Sequence, residues 1–261
     1  MSGFVFYRGP SLLDGAPIVA IATLESSNTA NGAMVQTWIL RSDINPIEAT
    51  HTGQDGSVCG AGGQRCKHAG QYDKAAGKWT QERTCYVMLL SFNGIYAAFK
   101  SGAYADLSDD LDAATDRVTG RLVRLGAYGD PAAVPAGVWR ALLRRAAGHT
   151  GYTHQWRSCD QSLRFLCMAS VDNESEFDDA DAMGWRCYAT LPAVGWKLFR
   201  YMSLCPKSDE AGKKTTCDKC LGCAGVPSDL PTSGKAKCHF GIPLHNTSAR
   251  AQKRRAVSIM T

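Results

Sequence analysis

The sequence has no apolar run approaching the roughly 20 residues that cross a bilayer, so no membrane-spanning segment is expected. It has no repeat at the short or 20–50-residue periods of collagen, coiled coils or solenoids, and those architectures are excluded. There is no P-loop, no GxSxG elbow, no HExxH and no Rossmann glycine fingerprint. Neighbouring histidines do not occur at the spacing of rolling-circle nucleases. Neither sign of charge dominates: 29 Lys+Arg against 24 Asp+Glu leave +5, which permits an anionic partner without demanding one. Aromatics, at 9%, are not interleaved with Lys and Arg in the RNA-binding manner. The start, Met1 to Pro10, lacks the charged and apolar regions of a secretory signal, so the expected compartment is the cytoplasm. With 44% hydrophobic and 20% charged residues, general disorder is excluded, and 261 residues suit one large domain or two small ones.

What the chain does have is cysteine, 11 in all. An odd count, clustered spacing and a reducing compartment argue against a disulfide framework and for metal or iron–sulfur ligation. Cys217-Asp-Lys-Cys220-Leu-Gly-Cys223 is a CxxCxxC run, with Cys205-Pro206 before it and Cys238-His239 after it as reserve ligands. Cys59, Cys66 and Cys85 form another group, with gaps of 6 and 18, to which His68 can add a fourth ligand. Cys167 and Cys187 sit in apolar stretches and read as buried core residues.

Residues 17–24 and 34–41 read as a strand hairpin. Asp43 is a candidate cap for a short helix or turn beginning there. Residues 52–84 are poor in aliphatics and read as a loop organised around the first cysteine group. Near-helical spacing of apolar residues predicts a helix over about 89–101. Residues 106–118 read as a solvated connection or polar helix start. Strands are expected at 121–127, 151–156, 163–171 and 185–191, and helices at 135–147 and 172–183. Residues 193–203 read as a short helix plus a strand. This β-α-β alternation predicts parallel strands wrapped by helices, either an open α/β sheet or a (β/α) barrel. Residues 205–248 lack hydrophobic periodicity and are expected to need a metal or cluster to become ordered. The expected organisation is an α/β unit over 1–204, including the N-terminal hairpin, and a Cys-rich segment with a basic tail over 205–261.

Several phrases in order resemble a family of phage and mobile-element proteins with a radical-SAM-like partial (β/α) barrel. They are Cys66 with Cys85-Tyr86 before a helix, Arg124-Leu-Gly-Ala-Tyr-Gly-Asp130-Pro131, Gly151-Tyr-Thr-His154-Gln-Trp156, Ala169-Ser-Val-Asp172, Gly184-Trp-Arg186, and the terminal Cys205 and Cys217/Cys220/Cys223 set. The resemblance spans roughly residues 50–225. It implies a site at the carboxyl ends of parallel strands, with Asp130, His154 and Asp172 facing a common mouth. It also implies a host-cell cytoplasmic location. The radical-SAM signature CxxxCxxC is replaced here by the wider Cys59/Cys66/Cys85 spacing.

On this reading Cys59, Cys66 and Cys85 hold one [4Fe–4S] cluster, and an open iron would bind S-adenosylmethionine. Cys205, Cys217, Cys220 and Cys223 hold a second, as in ferredoxin-type runs with a remote Cys-Pro. Structural zinc is the alternative at both groups. Asp130, His154 and Asp172 are the candidate catalytic residues, and Arg124, Tyr128 and Trp156 the candidate cofactor-binding ones. Their plainer roles are helix capping for the two acids, a satisfied core position for His154, and an ion pair for Arg124. The expected function is an iron–sulfur protein, radical-SAM-like or redox in any activity. Its rivals are a zinc-binding nucleic-acid module whose tail (Arg250, Lys253, Arg254, Arg255) contacts phosphates, and a structural phage component without catalysis.

Overall fold

A computed structural model describes residues 3–25, 31–60, 66–85, 87, 89–229 and 238–244. The basic tail lies outside the described residues. The chain opens with a meander that the sequence revealed only in part. β1 (Gly3–Pro10) precedes the expected hairpin of β2 (Pro17–Thr23) and β3 (Val35–Arg41), and all three pair antiparallel. Their apolar residues are almost wholly buried, Phe4, Phe6, Ile18, Ile21 and Ile39 among them.

The stretch expected as a loop carries local structure: α1 (Pro46–Thr52), α2 (Gly56–Cys59) and a small hairpin of β4 (Gln71–Asp73) and β5 (Lys78–Gln81). Asn45, not Asp43, caps α1 by accepting from the Ile47 N–H, while Asp43 pairs with Arg41. Next come α3 (Leu89–Lys100), the edge strand β6 (Ala105–Asp106) and α4 (Leu111–Val118), which the Asp110 side chain caps. The polar 106–118 stretch thus leaves β6, turns through 107–110 and becomes helical from Leu111.

From there the chain alternates as expected. β7 (Leu122–Tyr128) is followed by α5 (Ala136–Leu143), β8 (Gly148–Thr150), β9 (Tyr152–Thr153), β10 (Met168–Val171), α6 (Glu174–Ala182) and β11 (Cys187–Leu191). The expected strand at 163–171 is shorter, because Asp160 caps a 3-10 turn over Gln161–Phe165. Residues 193–203 yield only β12 (Met202–Leu204) and no helix. The Cys-rich stretch contributes a short helix, α7 (Cys217–Cys220), and β13 (His239–Pro243).

One sheet runs β6-β1-β2-β3-β7-β8 and the other β12-β13-β11-β10-β9. β3, β7 and β8 are mutually parallel, as are all five strands of the second sheet. β8 and β9 are separated only by Gly151, whose N–H donates to the Cys223 carbonyl and whose carbonyl accepts from Met168. A Cβ there would come within 2.9 Å of the Cys167 sulfur, so only glycine lets the strand pass between the sheets. The fold is α/β with parallel strands, and it forms no closed barrel among the described residues. Beyond 204, the described strand β13 joins the second sheet between β11 and β12.

The two faces of these strands differ. Val123, Leu125, Ala169, Val171, Cys187, Ala189 and Leu191 are fully buried on one side. There α6 lays Phe177 and Ala180 against β10 and β11, worth about 2 kcal/mol for the Phe alone. Arg124, Tyr128, Ser170, Tyr188 and Thr190 alternate with them and face a cavity.

Gly129 turns the chain from β7 into Asp130 at φ +84°, and a Cβ there would sit 2.6 Å from Ile39 Cβ and 2.8 Å from its carbonyl oxygen. Gly129→Ala is therefore expected to lower stability by about 2–3 kcal/mol, read as a shift of the urea midpoint at unchanged slope. A loss below about 0.5 kcal/mol would contradict this packing.

Candidate metal centre

A cavity of about 540 Å³ lies over the polar face of the parallel strands. All seven cysteines of the two expected groups line it: Cys59, Cys66, Cys85, Cys205, Cys217, Cys220 and Cys223. All eleven cysteines are free thiols, with no disulfide among them. Cys167 and Cys187 are buried in the core.

The first group follows β3. α2 delivers Cys59, and the Cys85 and Thr84 N–H groups both donate to the His68 carbonyl, which fixes Cys85 beside the Cys66–His68 turn. Burial drives the Cys59 pKa well up, and the nearby Cys66 and Cys85 add to it through like charge. Burial likewise pushes the Cys66 thiol up to about 12.

The second group starts at Cys205, the residue after β12. Leu221, at φ 48°, ends α7 in the left-handed region and turns the chain so that Cys223 reaches the cavity with Cys217 and Cys220. That conformation costs a non-glycine residue roughly 1–2 kcal/mol. Arg186 holds the loop: its guanidinium, on a residue 5% exposed, donates to the carbonyls of Gly222 (2.8 Å), Ala224, Gly225 (3.3 Å) and Cys238 (2.5 Å). Burial lowers the Arg186 pKa, and the neighbouring Cys223 and Cys238 act against that as prospective anions. Tyr152 lies beside the Cys223 thiol and Tyr188 beside Cys205. Burial raises Cys217 and pushes Cys223 up to about 12. The reserve ligands are placed elsewhere: Cys238 is exposed, and the His239 ring accepts from the Cys187 N–H at 3.1 Å and lies 3.5 Å from Asp181.

Such high pKa values keep the apo thiols protonated near neutral pH, and only the thiolate reacts. In metal-free protein, iodoacetamide is expected to modify exposed Cys238 well before Cys66 and Cys223. Labelling of Cys66 and Cys223 should still climb about tenfold per pH unit between roughly pH 9 and 10, where an ordinary thiol has levelled off. Mass spectrometry reads this, and equal labelling of all three at pH 8 would contradict it.

The candidate catalytic residues also come together. Asp130 follows β7, His154 follows β9 and Asp172 follows β10, all at strand carboxyl ends. Asp130 does cap, accepting from the Ala132 N–H at 2.9 Å, and its other oxygen accepts from the His154 N–H at 2.8 Å. Burial raises its pKa. Asp172 is not a helix cap. Asn173 caps α6, and the Glu176 carboxylate reaches back to the Asp172 N–H. The Asp172 side chain is left to meet the His68 Nε2 at 3.0 Å, the Lys67 Nζ at 2.6 Å and the His154 Nε2 at 3.8 Å. Burial works to raise the Asp172 pKa, but the hydrogen bond from His68, the two imidazoles and Lys67 outweigh it and hold the carboxyl below the usual range. Burial lowers the His154 pKa, only partly offset by Asp172.

Arg124 and Tyr128 both line the cavity. Arg124 lies over the Tyr152 ring rather than in an ion pair with one of these acids, and Tyr128 stacks on Phe92 at 4.0 Å. Trp156 does not reach the cavity: its indole is buried in the core and carries the Arg157 guanidinium at 3.9 Å. His68 was expected beside the cysteines, but its ring nitrogens face Thr84 and Asp172 instead. Sequence reasoning missed Arg186, Tyr152 and Tyr188. The available signal was polar side chains at every second position of strands otherwise apolar enough to be buried on both faces. Comparison with protein-family models, with curated proteins and with solved structures gives no match to this chain.

Proposed function

We propose that the chain is an iron–sulfur protein that holds two [4Fe–4S] clusters in the walls of one cavity and acts as a radical-SAM-like or redox enzyme on a small molecule bound between them. The observation that carries this reading is the convergence of both cysteine groups on a single space at the carboxyl ends of parallel strands. A partial barrel, with the array β3, β7, β8/β9, β10, β11, β13 and β12 curving around that space, is the architecture this reading implies.

The donor set fits the clusters. Three thiols at the first group leave one iron for an outside ligand, and four at the second close the site. No three cysteine sulfurs lie within 4.8 Å of one another among the described residues, whereas a zinc tetrahedron brings its sulfurs to about 3.8 Å. A cube spreads its thiolates more widely, because each sulfur sits on a different iron. Thiolates also supply an anionic partner for the buried Arg186 guanidinium, which among the described residues donates only to neutral carbonyls. The clusters would supply single electrons and, with S-adenosylmethionine at the open iron, reductive cleavage of its sulfonium bond.

The rest belongs to the chain itself. Arg124 and Lys207 line the cavity as cations for an anionic group, and Tyr152 and Tyr188 give it a flat wall. Asp130, whose pKa burial raises, and His154, whose pKa burial lowers, line it as the titratable groups suited to moving a proton there. The volume suits a small-molecule ligand.

Anaerobic purification or reconstitution tests this. The expected product is brown, absorbs broadly near 400 nm, carries about eight irons per chain and cleaves S-adenosylmethionine under reduction. A colourless protein with stoichiometric zinc would overturn it in favour of the nucleic-acid-binding rival.

A further inference from the structure

His68, His154 and Asp172 each present one ligand atom, and these three atoms lie within 4.8 Å of one another. They come from three distant stretches: the turn after Cys66, the end of β9 and the end of β10. We propose that they form a third inorganic site, a mononuclear one for a divalent transition-metal ion of the iron(II) or manganese(II) type, separate from both cysteine groups. Two imidazoles and one carboxylate make the set that binds such ions while leaving coordination positions open.

The surroundings are those of a prepared site. Buried Thr84 meets the His68 Nδ1 at 2.7 Å and so aims Nε2 at the Asp172 carboxylate. The Asp130 carboxylate fixes the His154 backbone. The His154 Nε2 is buried and has no hydrogen-bond partner among the described residues, although Asp172 lies 3.8 Å away. A hydrogen-bonded triad alone would leave that nitrogen unsatisfied, and a metal ion completes it. Lys67 now neutralises the Asp172 carboxylate, but Glu176 offers it a second carboxylate at 3.3 Å. The ammonium can therefore remain paired when Asp172 turns to a metal. His68 and His154 both line the large cavity, so the open positions would face a ligand held there.

Manganese(II) is the probe that separates this site from the cysteines, since it avoids thiolates. Chelator-treated full-length protein, titrated with Mn(II) and followed by loss of the free-ion EPR signal, is expected to take up one equivalent. Pulsed EPR of the complex should show nitrogen couplings from imidazole. Asp172→Asn and His68→Gln should each weaken binding at least about tenfold, while Cys220→Ala leaves it unchanged. Absence of nitrogen coupling in the unmodified protein, or affinities within twofold of the parent in both variants, would overturn the proposal. No step of this test requires iron–sulfur loading, so its result is independent of the cluster reading.

Discussion

Replacing Arg186 with methionine is expected to cost the folded protein about 3 kcal/mol or more and to abolish the iron binding proposed for the C-terminal cysteine group. The guanidinium donates to the carbonyls of Gly222, Ala224, Gly225 and Cys238, which lie in a part of the sequence with no periodic apolar pattern of its own. Methionine fills the volume but leaves those buried acceptors facing an apolar chain, and each unmet acceptor carries its own desolvation penalty. Arg186→Lys should fall between the two, because one ammonium cannot reach the same fan of carbonyls. Urea unfolding reads the stability, and iron content after reconstitution reads the site. A methionine variant with the parent's midpoint and full iron would show that the loop is held by other contacts.

Alanine at Cys59 or at Cys220 is expected to remove about half of the iron, and the double variant nearly all of it. The two groups are built on different elements. Cys59 rides on α2 next to Cys66 and Cys85, whereas Cys220 ends α7 beside Cys217 and Cys223. Different hydrogen bonds seat them, from the Cys85 N–H to the His68 carbonyl in one and from the Gly151 N–H to the Cys223 carbonyl in the other, so losing one site is expected to leave the other's ligands in place. The partial losses should appear as a halved absorbance near 400 nm with unchanged far-ultraviolet circular dichroism. Complete loss from either single variant would mean one shared centre, and no loss from either would mean that iron sits elsewhere.

Much of the parallel-strand region was legible, because β7, β10 and β11 lie in short apolar stretches, α5 carries an apolar face at helical spacing, and α6 is announced by its acidic start. β1 and β13 were not. β13 is a five-residue piece ending in Pro243 whose partners, β11 and β12, are supplied only by tertiary pairing. Asp172 read as a cap because it precedes an acidic helix start, and the adjoining Asn173 took that role instead. Trp156 read as a site residue because it closes a strand-like phrase, but the strand ends at Thr153 and the indole turns into the core. The cysteine groups were visible as spacings. That they share one cavity was not, since it depends on where the chain returns after α2 and α7. Local spacing is equally silent about His68, whose partner Asp172 lies 104 residues away.

The most direct test of two clusters facing one cavity is EPR of the fully reduced protein. Two paramagnetic centres in the walls of a space of about 540 Å³ must couple magnetically. The expected spectrum of the doubly loaded protein is therefore broadened or split, and differs from the sum of the Cys59→Ala and Cys220→Ala spectra. A spectrum equal to that sum would place the clusters apart, and the shared site would be contradicted.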